Sequence, residues 1–254
     1  MPEGGAGLTV DVLFASVDEP CAEVNLARVK RRLPPGSRLV EIRNTKGFAN
    51  VLLAAEAALR ADHFFLVDAD AHVLDSFQFV IPPEAARRTC CIYRAVNPIN
   101  DLVYGHGGIK VYDRKAIFSW LHPGSTRSLE RDDLDILDVL DFPSGGSRLF
   151  LRQAANVHQF ATSPGMAWRG AFREAAKLCY LARLEAFAAQ RRQIDAWIRG
   201  WLFRGATREH GLASMRGAAA GHRFGMSATR DEILLVNDYG FLGAQCARSS
   251  APRD

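Results

Sequence analysis

Two hydrophobic periods alternate along the first two-thirds of the chain. Leu8–Ala15 and Arg38–Arg43 are short, partly β-branched runs that read as strands. Residues 21–32 and Phe48–Arg60 carry apolar positions at helical spacing, the first closed by Pro34-Pro35-Gly36. His63–Val67 is apolar almost throughout and stops at two acids, Asp68 and Asp70, the pattern of a strand covered on both faces whose C-terminal tip surfaces. Cys90–Arg94 and Ile109–Tyr112 predict further strands and Arg114–Trp120 a helix. Leu149–Leu151 and Ala155–His158 predict two late strands. Strands alternating with helices predict an α/β fold with a mainly parallel sheet.

From Ala167 the pattern changes. Trp168, Phe172, Ala175, Leu178, Leu181, Leu184 and Phe187 share one helical face, predicting a helix to about Gln190, and a second helix is expected around Ile194–Phe203. Residues 205–228, rich in Gly and Ala, read as a loop or short helices. Ile233–Phe241 reads as a last ordered element before a polar, frayed tail. The expected division is a catalytic domain over 1–165 and a basic helical segment over 166–254 packed on it.

Composition changes this picture little. The 254 residues are 48% hydrophobic and 24% charged, and 32 Lys+Arg against 28 Asp+Glu give a net charge of +4. The distribution says more: about a dozen Lys and Arg fall between 166 and 230, while 130–141 is acidic, so the C-terminal segment suits a polyanion or simply a solvated helix face. Five cysteines (Cys21, Cys90, Cys91, Cys179, Cys246) without a CxxC pair read as reduced, mostly buried thiols. The first twenty residues lack the basic region of a signal peptide, and no stretch approaches the length of a membrane span. A soluble, cytoplasmic protein without a membrane anchor is expected.

The chemistry concentrates at Asp68-Ala69-Asp70. In open α/β sheets ligands bind beyond the C-terminal ends of strands. On an extended chain Asp68 and Asp70 would point the same way, and two carboxylates together call for a cation. Downstream come Gly105-His106-Gly107-Gly108, the acidic run Glu130-Arg131-Asp132-Asp133-Leu134-Asp135, and His158. The glycines allow close backbone approach, but without GK[ST] they do not form a phosphate-cradling P-loop.

Taken in order, these segments resemble the GT-A family of nucleotide-sugar glycosyltransferases, from residue 8 to about 165. The correspondence begins with the loop Val12–Glu19 and the turn Asn44-Thr45-Lys46-Gly47. It continues through Asp68-Ala69-Asp70, Tyr104–Ile109 and Leu129–Asp135, and ends at Asn156-Val157-His158-Gln159-Phe160. The resemblance implies a Rossmann-like sheet flanked by helices and a UDP-sugar donor held by Val17, Asp18, Lys46, Asp68, Gly107, Gly108, Lys110 and Arg169. His106 and Arg173 are further candidates for donor or acceptor phosphates. It also implies a divalent cation, Mn²⁺ or Mg²⁺, on Asp70, Asp68 and His158, with a histidine ligand tilting the choice toward Mn²⁺. Spacing alone favours His72 over His158 as the third ligand.

Asp132 or Asp133 would take the proton of the attacking hydroxyl. The segments Tyr104–Lys110 and Ala167–Glu174 are similar to phage-type members that glycosylate hydroxymethylpyrimidines. That similarity implies DNA bearing 5-hydroxymethylcytosine as acceptor, inside a bacterial or phage-infected cell, with the base out of the stack. A polysaccharide or lipid acceptor, metal-dependent nucleotidyl transfer, and a non-catalytic nucleic-acid-binding scaffold are the alternatives.

Overall fold

The computed structural model describes residues 9–17, 19–96, 103–104, 108–122, 148–158, 163–184, 191–192, 195, 198–199 and 210–250. The chain divides into two compact units, one made of Met1–Val96 and Val103–His158, the other of Asn97–Leu102 and Gln159–Asp254.

Among the described residues the first unit is an eight-stranded mixed sheet. Its strands are β1 (Asp11–Ser16), β2 (Arg38–Arg43), β3 (His63–Asp68), β4 (Ala71–Val73), β5 (Cys90–Val96), β6 (Val103–Tyr104), β7 (Ile109–Asp113) and β8 (Arg148–His158), in the order β2-β1-β3-β7-β5-β8-β4, with β6 on β5. β1 pairs in parallel with β2 and β3, and β5 with β8; β7 runs antiparallel to both β3 and β5. β1, β2, β3, β5 and β8 therefore share one direction, and β4, β6 and β7 oppose it. The two late strands expected from the sequence are one strand, β8, whose register against β5 shifts around Arg94.

The apolar run of β3 is explained by cover on both faces. Phe65 and Val67 join Val12, Phe14 and Tyr93 under α1 (Ala22–Arg32), whose Leu26 and Val29 face them. Phe64 and Leu66 join Leu13 and Tyr112 under α2 (Phe48–Ala55) and α3 (Arg114–Leu121). Alternate residues thus feed two cores, each large side chain contributing about 1.5–3 kcal/mol by its burial. Phe65 meets Phe79 edge-on at 5.1 Å, and Phe77 meets Tyr93 at 4.9 Å. At the opposite end of β1, the buried Asp11 carboxylate accepts from the backbone of Arg60 (2.5 Å) and Ala61 (2.8 Å), which fixes the entry into β3. α2 stops at Ala55 rather than running to Arg60.

The second unit is helical: α4 (Pro164–Arg183), α5 (Gly211–Ser227), α6 (Arg230–Leu234) and α7 (Tyr239–Ser250). Ser163 caps α4, accepting from the Met166 amide at 3.3 Å. Thr229 and Glu232 form a reciprocal capping box on α6. Two readings are corrected here. The Gly/Ala-rich stretch contains a seventeen-residue helix, and the polar tail expected to fray is helix α7. Glycine costs about 1 kcal/mol in a helix interior, but in α5 it recurs at Gly217, Gly221 and Gly225 against α4. An added Cβ would lie 2.2 Å from the Trp168 carbonyl oxygen, 2.2 Å from that of Phe172 and 2.4 Å from that of Ala176. The backbones touch along one ridge, and burial there offsets the propensity cost. Trp168, Phe172, Phe224 and Phe241 continue the contact, with ring centroids 5.0 to 5.7 Å apart. Most of the helix expected around 194–203 lies outside the described residues. Four cysteines are buried and Cys246 is partly exposed, all as thiols; burial pushes the Cys91 thiol up to about 11. No helix among the described residues is long and apolar enough to cross a membrane.

The sign of a Gly221→Ala substitution distinguishes contact from propensity. Propensity alone would stabilise the helix by about 1 kcal/mol. The Phe172 carbonyl predicts a net loss of about 1–3 kcal/mol instead, read as a lowered urea midpoint. An unchanged or raised midpoint would show that the helices are not in backbone contact there.

Candidate active site at the strand tips

β1, β2 and β3 end side by side, with Ser16 opposite Arg43 and Ala15 opposite Asp68, so the loops that follow them leave the same edge of the sheet. After β1, Glu19 folds back and accepts from the Val17 amide at 2.7 Å. After β2, Asn44 and Gly47 take positive φ values (57° and 88°), and the Lys46 carbonyl accepts from Asn50 Nδ2 at 3.0 Å, leaving the Lys46 side chain exposed. Beyond β3, the Asp68 amide donates to Gly108 O (2.8 Å) and the Ala69 amide to Ala15 O (2.9 Å).

The chain does not stay extended through Asp68-Ala69-Asp70. Ala69 and Asp70 form a turn and β4 starts at Ala71, so strand alternation no longer relates the two carboxylates. Asp68 keeps a side chain 35% exposed, while Asp70 is only 6% exposed. The turn is held from α1: Asn25 Nδ2 donates to the Ala69 carbonyl at 2.8 Å, with Cys21 Sγ 3.8 Å from the same oxygen. Asn25 was missed in the sequence. Its only signal is an amide on the apolar face of a short helix.

The turn also fixes what stands beside Asp70. In the strand order β4 lies four places from β3, about 19 Å in a flat sheet. The three Cα steps from Asp68 to Ala71 reach at most about 11 Å. The sheet therefore curls, using the register shift between β5 and β8, and brings the end of β8 to the turn. Ala71 pairs with His158, and His72 with Val157. The His158 backbone is thus one ladder position from Asp70, although its side chain lies outside the described residues.

His72 is placed differently. Because the Asn25 amide nitrogen is committed to Ala69, its Oδ1 faces His72 Nδ1 at 3.1 Å, so the imidazole donates from Nδ1 and keeps its lone pair on Nε2. Burial, and then the Arg28 guanidinium, hold its pKa below the ordinary histidine value; Asp75 opposes this and Arg32 adds to it. Arg28 and Arg32 both bind Asp75, and Arg28 also donates to the Val73 carbonyl. Two neighbouring guanidiniums are poor company for a metal ion.

Lys110 is the second residue that the structure re-reads. Implied as a donor contact, it is instead buried: it is 4% exposed, with Nζ 3.8 Å from Asp68 Oδ2 and 5.8 Å from the centroid of the Phe48 ring. Gly108 is buried one turn of the pleat away. Arg169 and Arg173 belong to the helical unit, Arg169 beside Gly243 and Arg173 with Nε 3.7 Å from Glu174 Oε1. Asp18, His106, Gly107, Asp132 and Asp133 lie outside the described residues. Among described residues no group of three or more His, Cys, Asp or Glu is arranged to hold a metal. The acids at the end of β3 and in the turn after it are Asp68 and Asp70, and carboxylate oxygens suit a hard divalent ion that keeps water or phosphate oxygens in its shell.

The helical unit has a cavity of about 400 Å³ lined by Cys179, Arg183, Arg191, Asp195 and His222, among others. Its arginines serve the helix ends: Arg183 donates to the carbonyls of Gly225 and Ala228, Arg191 to that of Ala182.

No family model and no curated protein matches the chain. Among solved structures it is similar to the mannosyltransferase PcManGT from Pyrobaculum calidifontis in complex with GDP-Man and Mn²⁺. That match has a TM-score of 0.42 and 12% identity, over 95% of this chain and 85% of that one. It is also similar to HddC from Yersinia pseudotuberculosis, with a TM-score of 0.33 and 15% identity over 57% of this chain and 70% of that one. Likenesses this low leave the activity to be argued from the chain's own residues.

The His72 environment predicts a pH effect. Folding favours the neutral imidazole, so this contribution is complete above the unfolded-state pKa, about 6.5, and is lost as pH falls through the lower folded-state value. Thermal melts between pH 8 and 5 should show wild type losing more stability over that window than His72→Gln. Parallel curves would mean that His72 is not held neutral.

Proposed function

We propose that the chain is a metal-dependent glycosyltransferase of the GT-A type that moves a hexose from a nucleotide sugar, a UDP-sugar in the first instance, to a hydroxyl acceptor. The observation that carries this reading is the convergence at one sheet edge of three parallel strand ends, the acids Asp68 and Asp70, and the last residue of β8, His158, registered opposite Ala71. A nucleoside diphosphate leaving group develops charge as the glycosidic bond breaks, and a divalent cation bound at such a site supplies its neutralisation.

In this reading Asp70 is the principal ligand of the cation, Mn²⁺ or Mg²⁺, with Asp68 and His158 beside it. Val17 and Asp18 border the base and ribose, and Lys46 and the backbone at Gly107 and Gly108 line the diphosphate and sugar. The resemblance also implies Arg169, a residue of the helical unit, as a donor contact. Asp132 or Asp133 accepts the proton of the attacking hydroxyl, which leaves as the acceptor oxygen bonds to the anomeric carbon. The buried Asn25–Ala69 hydrogen bond supports the assignment of Asp70 as a fixed ligand, because it holds the turn independently of any cation. The acceptor that the Arg-rich helical unit suits is a polyanion, with DNA containing 5-hydroxymethylcytosine as the specific candidate and an anionic polysaccharide or lipid head group as competitors.

The test is incubation with Mn²⁺ and a panel of UDP- and GDP-sugars, with DNA carrying or lacking hydroxymethylcytosine, read by nucleoside mass spectrometry. Hexose on the modified base alone supports both donor and acceptor assignments. Sugar release without DNA modification keeps the transferase and removes DNA. Turnover of a nucleoside triphosphate in place of any sugar donor favours nucleotidyl transfer. Asp70→Asn should lower kcat by about a hundredfold or more with an unchanged circular-dichroism spectrum; wild-type turnover in that variant removes Asp70 from the metal site.

A further inference from the structure

The cavity in the helical unit, about 400 Å³, is lined by Arg183, Arg191, Asp195 and His222, which make no hydrogen bond or ion pair with one another among the described residues. Arg183 Nη1 donates to the carbonyls of Gly225 (2.7 Å) and Ala228 (3.1 Å), and the guanidinium stands 5.7 Å from the centroid of the Tyr180 ring. Arg191 Nε donates to the Ala182 carbonyl at 2.9 Å. Each guanidinium is thus anchored through one nitrogen. Arg183 Nε and Nη2, and both Nη atoms of Arg191, have no acceptor among the described residues. The Asp195 carboxylate has no donor or counter-ion among them either, although it shares the cavity with both arginines. Cys179 and Ile198, which also line the cavity, are buried. Burial raises the Cys179 thiol pKa, with Arg183 opposing the shift and Asp195 adding to it.

We propose that this cavity binds an organic phosphate ester that carries free hydroxyl groups. Two guanidiniums already anchored on carbonyls lose little side-chain freedom on binding, and their remaining N–H groups form the fork that matches phosphate oxygens. Among the described residues lining the cavity, two arginines exceed one aspartate in charge, and an anion supplies the difference. Once phosphate occupies the arginines, the Asp195 carboxylate still needs a donor, which a ligand hydroxyl provides. His222 is able to donate to the phosphate or accept from a hydroxyl. The volume suits an organic molecule rather than a bare ion, and Cys179 and Ile198 offer apolar surface to its carbon skeleton. The ligand would join α4, α5 and residues 191–198. All of these groups belong to the helical unit, so the site stands whatever reaction the strand-tip edge performs.

Isothermal titration calorimetry of the full chain with glycerol 3-phosphate, glucose 6-phosphate, glucose and inorganic phosphate tests this without metal or sugar donor. At least one of the two esters should bind, with glucose and inorganic phosphate weaker by about tenfold or more. Arg191→Gln should weaken the ester by about tenfold. Asp195→Asn should weaken the ester but not inorganic phosphate, which then no longer meets a carboxylate. Asp195 has no hydrogen bond among the described residues to lose, so this variant serves should Arg191→Gln fail to fold; thermal melts establish which variants are folded. Cosedimentation with phosphatidylglycerol vesicles presents the same chemistry on a lipid. Vesicle binding without ester binding, weakened by Asp195→Asn, assigns the site to a lipid head group. Vesicle binding alone that Asp195→Asn strengthens overturns the inference, because charge attraction then suffices. Inorganic phosphate as tight as the esters overturns it, as does ester binding unchanged in both folded variants. Absence of binding to every ester and vesicle overturns it as well.

Discussion

Only Ala69 and Asp70 separate β3 from β4, although β4 belongs at the far end of the sheet, and most of the strand-tip architecture follows from that short link. A chain this short crosses four strand spacings only if the sheet curls, and the curl requires β8 to bend against β5. The same curl carries the end of β8 to the turn. Asn25 then holds the Ala69 carbonyl from α1, so the turn is pinned by a hydrogen bond buried away from competing water. Asp70 is positioned by the backbone on both sides of it, not by its own side chain alone.

The electrostatics of the edge are organised in two compartments. On one side of the turn, burial and then the Arg28 and Arg32 guanidiniums hold the His72 pKa down against the opposing Asp75, with Asn25 deciding which ring nitrogen carries the proton. On the other, Lys110 and Asp68 face each other beneath Phe48. Asp70 lies between a cation-rich neighbourhood and an acid that already has a counter-ion.

The helical unit follows a different logic. Its central pair is built on small residues, with Gly217, Gly221 and Gly225 admitting the backbone of α4 where any side chain would collide. The gain is close contact over the length of two helices, reinforced by the Trp168, Phe172, Phe224 and Phe241 rings. The Arg183 side chain then satisfies the carbonyls at the end of α5.

Much of the fold was legible in the order of residues, because periodicity is local. The apolar run Phe64–Val67 predicted a doubly covered strand, and its termination at Asp68 predicted a surfacing tip; both follow from side-chain alternation and the cost of burying charge. The helix expected from Ala167 was equally readable from its apolar face, although it starts at Pro164 and ends at Arg183, short of Gln190. Residues 205–228 were misread because glycine's helix cost is intrinsic while the contact that offsets it lies on another helix. Asp68 and Asp70 do not follow the alternation that their spacing predicts, because spacing says nothing about a turn held by Asn25, more than forty residues earlier in the chain. The buried Lys110–Asp68 pair and the register of His158 opposite Ala71 arise only when strands distant in sequence are laid side by side. The sequence by itself determined which residues were chemically able to form a cation site. Tertiary structure decided which of them meet, because burial and pairing are properties of neighbours that the chain order does not contain.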